Sequence, residues 1–428
     1  GGTCENHCTN GTMDCGETGI DCGGECTACS DPCAGHCANG AMDCGETGID
    51  CGGECTACSD PCAGHCGNGA MDCGETGIDC GGECTACSDP CAGHCANGAM
   101  DCGETGTDCG GECDPCVEPP AMLRGVNLAG ADFGEGNLPG TYGTDYIYPT
   151  SEEVDYFTGK GMNVFRLPFR WERLQRSQLA DFDAQELGRI DTFVGYATGK
   201  GAWVILDPHN YARYFGEGVG EGVPVEAYAD FWSKLADHFK GNGLVAFGLM
   251  NEPHDMSTER WRDDANAAIA AIRGTGASNL ILVPGNGWTG AWAWLEGYYG
   301  TANAEVMGTI DDPLDNFVFE VHQYLDTDGS GTSGDCVSST IGVERLTAFT
   351  GWLEDNGFRA FLGEFAGGAN ATCTEALDGM LDYMDARPER WMGWAWWAAG
   401  PWWGDYMFSI EPSGGEDRPQ MSLLEEHL

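Results

Sequence analysis

The sequence predicts an α/β protein: a (β/α)8 TIM barrel preceded by a disulfide-rich repeat module with little regular secondary structure. Three observations carry that prediction. Cysteines crowd into the first quarter of the chain at a fixed period. From residue 122 onward, short apolar or β-branched runs alternate with longer amphipathic stretches, the pattern of βα units and a parallel sheet. Polar and aromatic residues then recur at the ends of those runs, where barrels of this kind keep their active sites.

Residues 1–116 form four repeats of 29 residues, each spaced Cys-x3-Cys-x6-Cys-x6-Cys-x3-Cys-x2-Cys and starting at Cys4, Cys33, Cys62 and Cys91. They hold 24 of the 26 cysteines. A unit offers one Met and at most one Ile as large apolar residues, too little for a hydrophobic core, so cross-links must hold it together. Six cysteines allow 15 pairings, and sequence alone does not choose among them. A rod-like array of stapled loops is expected. Short repeats containing Asp-Cys-Gly-Gly resemble cysteine-rich repeats appended to secreted bacterial proteins.

A histidine precedes the second cysteine of every unit, at His7, His36, His65 and His94. The order Cys-x-x-His-Cys is not the Cys-x-x-Cys-His of haem attachment. Zinc would draw on Cys and His in sets of four, but six cysteines in an oxidising compartment favour bridges. Calcium suits the oxygen donors better. Asp14, Glu17 and Asp21 lie in a Gly-rich stretch, with equivalents at Asp43, Glu46 and Asp50, at Asp72, Glu75 and Asp79, and at Asp101, Glu104 and Asp108. The spacing matches no EF-hand, and plain solvated acids remain the alternative. Residues 117–121 contain Pro119-Pro120 and read as a short semi-rigid linker to a domain over 122–428.

The net charge is −49, and no Lys or Arg precedes Arg124. The first segment carries 22 acidic residues, and the remainder sets 46 acids against 19 bases. Such a charge repels nucleic acid and anionic membranes, and reads as a solubility device. No apolar run reaches 18 residues, so no membrane insertion is expected. Dense, even cysteines place the protein outside the cell, secreted, and the start Gly1-Gly2-Thr3-Cys4 reads as a processed mature form. A monomer is expected.

Expected strands run over 122–127, 163–167, 203–207, 245–250, 280–283, 317–321, 360–363 and 391–396, with helices among them at 228–239 and 261–273. Arg166 ends the second strand, and His209-Asn210 follow the third. Asn251-Glu252-Pro253-His254 follow the fourth, Trp288 the fifth and His322-Gln323-Tyr324 the sixth. Glu364 closes the seventh and Trp397 the eighth. One carboxylate at a strand end means little. Two of them, 112 positions apart and both aimed at the barrel mouth, suit glycoside cleavage, which needs one carboxyl to donate a proton and one to attack or to activate water.

The ordered set of strand-end motifs resembles glycoside hydrolase family 5, over about residues 124–412. The match rests on Gly125-Val126-Asn127-Leu128-Ala129-Gly130, His209-Asn210-Tyr211-Ala212-Arg213, Asn251-Glu252-Pro253-His254-Asp255, Pro284-Gly285-Asn286 and His322-Gln323-Tyr324-Leu325-Asp326. It is most similar to the secreted endoglucanases known from fungi. Asn-Glu-Pro alone is shared by many hydrolases of this barrel clan; the whole set is far more specific. The repeats lie outside the family pattern.

The resemblance implies endo-acting, retaining hydrolysis of β-1,4-glucan, with no cofactor for catalysis. It makes Glu252 the acid/base and Glu364 the nucleophile. Arg166 and Tyr324 would support Glu364, Arg166 by favouring its ionised form. Asn251 would bind the sugar 2-hydroxyl, and His209, His322 and Asn210 would line the sugar site, with His322 near the acid/base. Trp397 would stack under the sugar, and Trp288 and Trp292 would extend the subsites. Trp402 and Trp403 sit in the following loop, where the pattern specifies nothing. Related endoglucanases are cross-linked between strands six and seven, which implies a Cys336–Cys373 disulfide.

Mannanase, xyloglucanase or mixed-linkage activity of the same family is the alternative. A non-catalytic carbohydrate-binding or surface protein is weighed against the presence of both carboxylates. A cellulose-binding role for the repeats is weighed against their lack of Trp, Tyr or Phe before Phe133, which favours a spacer, surface-attachment or calcium-dependent role. Asn370-Ala371-Thr372 and Asn10-Gly11-Thr12 are glycosylation sequons.

Overall fold

The computed structural model describes residues 122–428, together with residues 7–9, 11, 24–26, 38 and 53. The twelve acids of the calcium expectation, Asp14 to Asp108, and the linker at 117–121 lie outside the described residues. In the first repeat, a short 3-10 turn covers His7–Thr9, and Cys8 pairs with Cys26, the second cysteine of the unit with the fifth.

Eight parallel strands close a barrel: β1 (Leu123–Leu128), β2 (Val164–Phe169), β3 (Trp203–Pro208), β4 (Val245–Gly248), β5 (Ile281–Pro284), β6 (Phe317–His322), β7 (Ala360–Phe365) and β8 (Trp391–Ala399). Each strand pairs with its sequence neighbours, and β8 pairs with β1. The expected strand set is present with small shifts. β4 stops two residues early, and the other seven strands run one to three residues past their expected ends, since polar strand-end residues such as His322 still join the ladder.

The helices are α1 (Ser151–Lys160), α2 (Trp171–Leu174), α3 (Ala184–Gly199), α4 (Val225–Phe239), α5 (Thr258–Gly274), α6 (Asn303–Val306), α7 (Ile341–Asn356), α8 (Ala371–Asp385) and α9 (Met421–Glu425). Their starts are set by local chemistry. Thr150 and Glu153 form a capping box on α1, and the Asp183 side chain accepts from the Gln185 and Glu186 amides at α3. Asn370 caps α8: its Oδ1 accepts from the Cys373 amide and its Nδ2 donates to Gly334 O. The sequon asparagine thus spends its side chain on structure.

Two apolar layers result. Strand residues facing outward pack against the helices, with Trp171, Trp232 and Trp261 fully buried there. Inward residues form a separate plug containing Val164, Trp203, Ile205, Ala246, Leu282, Val318 and Phe361. Side chains alternate along a strand, so the next inward positions toward the mouth are two residues on. There the plug gives way to Arg166, Asp207, Gly248, Glu320 and Gly363. The charged members are completely buried. A charged layer therefore sits directly beneath the barrel mouth.

The segment after β6 lines the cleft at that mouth with Tyr324, Asp328, Gly329 and Ser330. Asp326 accepts from the Gly331, Thr332 and Ser333 amides, and Arg345 donates to the Tyr324 and Asp326 carbonyls. Gly331, at φ +70°, lies so near the Tyr324 ring that a Cβ would come within 2.6 Å of it. Cys336–Cys373 ties the segment to α8, as the resemblance implied. Replacing both cysteines by serine is expected to lower the unfolding free energy by about 2–4 kcal/mol, read by chemical denaturation.

Candidate active site

Glu252 lies just past β4 and Glu364 within β7, and both reach the barrel mouth. One carboxylate oxygen of each, with a ring nitrogen of His322, falls within 4.8 Å of the others. Retaining glycosidases hold their carboxyls about 5–5.5 Å apart, and inverting ones hold them farther apart to admit a water. Glu252 takes the left-handed conformation at φ 41°, a strained choice for a residue with a side chain and one that clusters at functional sites. Glu364 is 4 % exposed, whereas Glu252 stands partly open to the cleft.

Tyr324 donates its hydroxyl to Glu364 Oε2 at 2.8 Å, and Arg166 Nη1 approaches Oε1 at 3.1 Å. Both expected supports of Glu364 are in place. Arg166 pulls Glu364 toward its ionised form, but it does not act on Glu364 alone. The guanidinium also meets Asp207 Oδ2 at 3.0 Å and Glu320 Oε1 at 2.7 Å, so one cation serves three carboxylates. Burial therefore wins: the Glu364 carboxyl is pushed up to about 7, despite the opposing pull of His322 and Arg166. Burial likewise pushes Asp207 up to about 7 against the pull of Arg166.

His322 Nδ1 lies 2.7 Å from Glu252 Oε1 and 3.5 Å from Glu364 Oε2, while Nε2 is 3.5 Å from Glu320 Oε1. Burial alone would lower its pKa, but Glu364, Glu252 and Glu320 outweigh burial and lift it to about 10. His322 is thus an imidazolium that donates to Glu252. The trio Glu252, His322 and Glu364 has the donor count of a catalytic zinc site. In this arrangement His322 Nδ1 is in hydrogen-bond contact with Glu252 at 2.7 Å.

Burial pushes His209 down to about 3, so it is neutral. Its Nε2 faces the Asn251 amide at 3.1 Å and its Nδ1 faces Asp207 at 2.8 Å, which assigns the proton to Nδ1. Asn251 is fixed at both ends, because its Oδ1 accepts from Arg166 at 2.9 Å. One amide hydrogen of Asn251 is left for a ligand. His209 also stacks on Trp397, with centroids 5.4 Å apart. It orients both neighbours more than it lines the cleft.

Asn210 departs from its expected role. It is buried, its Oδ1 accepts from the Trp171 amide, and its Nδ2 donates to Glu172 Oε2 at 2.7 Å. Those bonds fasten the start of α2 to the end of β3 and make Asn210 a structural residue, not a sugar ligand.

The cleft beside Glu252 has a volume of about 540 Å3, and its walls include Tyr211, His254, Trp288, Trp292, Tyr298 and Asp328. The expected subsite tryptophans are both there, half-exposed. Trp288 stacks on His254 at 4.7 Å, and His254 Nδ1 is held 2.8 Å from Asp255. Of the later tryptophans, Trp403 meets Trp397 edge-on and stacks on Tyr406, while Trp402 is partly exposed. Tyr298, Asp207 and Glu320 escaped the sequence reading. For the two acids a signal existed: each sits at the inward parity of its strand, where only a functional layer tolerates charge.

The arrangement holds two carboxyls in unlike settings at the end of an aromatic-walled trough. Comparison with known proteins agrees. The family described as Cellulase (glycosyl hydrolase family 5) matches residues 125–400. The chain is similar to endo-beta-1,4-glucanase B of Aspergillus niger, at 46% identity over 71% of this chain and 89% of that one. Among solved structures it resembles XacCel5A in complex with cellopentaose, at 47% identity and TM-score 0.71, covering 72% of this chain and all of that one. It also resembles Pseudomonas stutzeri endoglucanase Cel5A in complex with cellobiose, at 38% identity and TM-score 0.67, covering 71% and 92%.

Proposed function

The chain belongs to glycosyl hydrolase family 5, and we propose that it cuts β-1,4-glucan at internal bonds by double displacement, with Glu364 as nucleophile and Glu252 as acid/base. The observation that carries this reading is the approach of the two carboxylates to within 4.8 Å. The proteins it resembles include endo-beta-1,4-glucanases and an enzyme solved with cellopentaose.

A glucosyl unit stacks on Trp397 with its 2-hydroxyl on the free amide hydrogen of Asn251. Glu364 attacks the anomeric carbon from the α face while a proton passes from the Glu252–His322 pair to the departing glycosidic oxygen. The C–O bond to the leaving chain breaks as the glycosyl ester forms. Water then enters from the opposite side, gives its proton to Glu252 and displaces Glu364, restoring the β configuration. Arg166 and Tyr324 take up the charge returned to Glu364 in that second step. Trp288 and Trp292, on the wall of the cleft, carry the leaving chain.

The bridges Cys336–Cys373 and Cys8–Cys26 support a working place outside the cell, where disulfides persist. Among the described residues, no helix is long and apolar enough to cross a membrane. The test is reducing-sugar release on carboxymethylcellulose, mixed-linkage glucan, xyloglucan and mannan, with the first-formed anomer followed by NMR. Fast release from carboxymethylcellulose with β product first is expected. Activity confined to mannan overturns the substrate reading, and α product first overturns the mechanism.

A further inference from the structure

The proposed reaction uses Glu252 and Glu364 directly, but a third glutamate lies beneath both. Glu320, in β6, is completely buried. Its Oε1 is 2.7 Å from Arg166 Nε and 3.5 Å from His322 Nε2, ion-pair contacts in which neither N–H points squarely at the oxygen. Arg166 in turn reaches Glu364, and His322 reaches Glu252. We propose that Glu320 is a positioning residue for catalysis, the shared buried anion that holds Arg166 against the nucleophile and His322 against the acid/base.

The fold makes room for this side chain at a specific cost. A Cβ on Gly363 would come within 2.2 Å of Glu320 Oε1 and 2.8 Å of its Cγ, so the residue before Glu364 must be bare. β7 thus gives up a side chain beside this carboxylate. Burying an acid without structural or chemical return is costly, and an apolar residue of equal volume would fill the plug more cheaply.

Charge counting shows what the acid supplies. Around the site stand four carboxylates (Asp207, Glu252, Glu320 and Glu364) and two cations, Arg166 and His322. His209 is neutral, and Tyr324 adds a hydroxyl on Glu364. His322 Nδ1 serves Glu252, and among the described residues Glu320 is the acid that faces its other nitrogen. Glu320 therefore keeps the proton on the Glu252–His322 pair, from which the leaving oxygen is protonated. The anion also draws on Arg166 and so competes with Glu364 for that cation.

Removing the charge has a signed consequence. With Glu320→Gln, every neighbouring group loses a nearby negative charge and gives up its proton more readily. His322 loses its proton at a lower pH, and Glu364 ionises at a lower pH. Both limbs of the kcat/KM profile of the full-length enzyme should move to lower pH. At the wild-type optimum kcat should fall ~10- to 100-fold, the usual effect of losing an outer partner of a reacting group, with KM within about twofold. The His322 ring, followed by NMR, should titrate lower than in the wild type. Glu320→Asp keeps the charge and should return the limbs toward their original positions.

Wild-type kcat and limbs in Glu320→Gln overturn the inference. A lower kcat with unmoved limbs and an unmoved His322 titration also overturns it, since that is a packing defect. If Glu320→Gln does not fold, Glu320→Asp, whose shorter side chain draws the charge back from His322 Nε2, decides: a lowered kcat with the His322 titration moved partway down supports the inference, and an unmoved His322 titration overturns it. The inference rests on the two-glutamate reading, which fails separately if Glu364→Gln stays active; the His322 titration tests Glu320 in either event.

Discussion

Glu364→Gln is expected to lower kcat on soluble β-glucan by at least about 10^4-fold, a loss on the scale of removing a covalent nucleophile. That corresponds to about 5 kcal/mol of transition-state stabilisation. The amide keeps the shape of the carboxyl: its one oxygen can accept from Arg166 while its nitrogen donates to the Tyr324 hydroxyl, so folding and KM should change little. A product test makes the role specific. In Glu364→Gly, added azide can attack the anomeric carbon from the vacated α face, and the product should be the α-glycosyl azide. Azide rescue yielding the β product would assign Glu364 to the other role. The acid limb of wild-type kcat/KM should report the same group. Protonated Glu364 is no nucleophile, so activity falls as pH drops through its pKa, which burial holds above the ordinary glutamate value.

The barrel was legible because its strands announce themselves twice, by β-branched runs and by the polar residues at their ends. Phe165-Arg166-Leu167 and Gly363-Glu364-Phe365 set a charge inside an apolar run, and the structure places Glu364 at the mouth with Arg166 buried just beneath it. Glu252, His322 and Tyr324 were legible by the same route. Asn210 was not, because its neighbour His209 does face the site's residues, and one position along a strand end turns a side chain to the other side. The balance of charge was also illegible. Sequence shows that an arginine lies near the nucleophile, but not that Asp207 and Glu320 share it. That sharing depends on a register across β2, β3 and β6 that no local pattern fixes. The repeats mark the other boundary: their period is plain, yet the pairing of Cys8 with Cys26 could not be chosen from fifteen alternatives.

Glu252→Gln should separate the two chemical steps. On cellulose-type substrates the leaving alkoxide needs its proton as the bond breaks, so kcat is expected to fall about 10^2- to 10^4-fold. An aryl cellobioside with a strongly acidic phenol leaves without that proton, and its first step should run near the wild-type rate. The glycosyl ester on Glu364 then waits for water that no base activates. A burst of phenol followed by a slow steady state is the expected trace, and azide should speed turnover and give the β-glycosyl azide, since it enters from the side that water uses. The basic limb of the pH profile should vanish on the aryl substrate. His322 remains charged in this variant, still facing Glu364 at 3.5 Å and Glu320 at 3.5 Å, and a side-chain amide cannot pass that proton on. Equal losses on both substrates, with no burst, would mean that Glu252 does not protonate the leaving group.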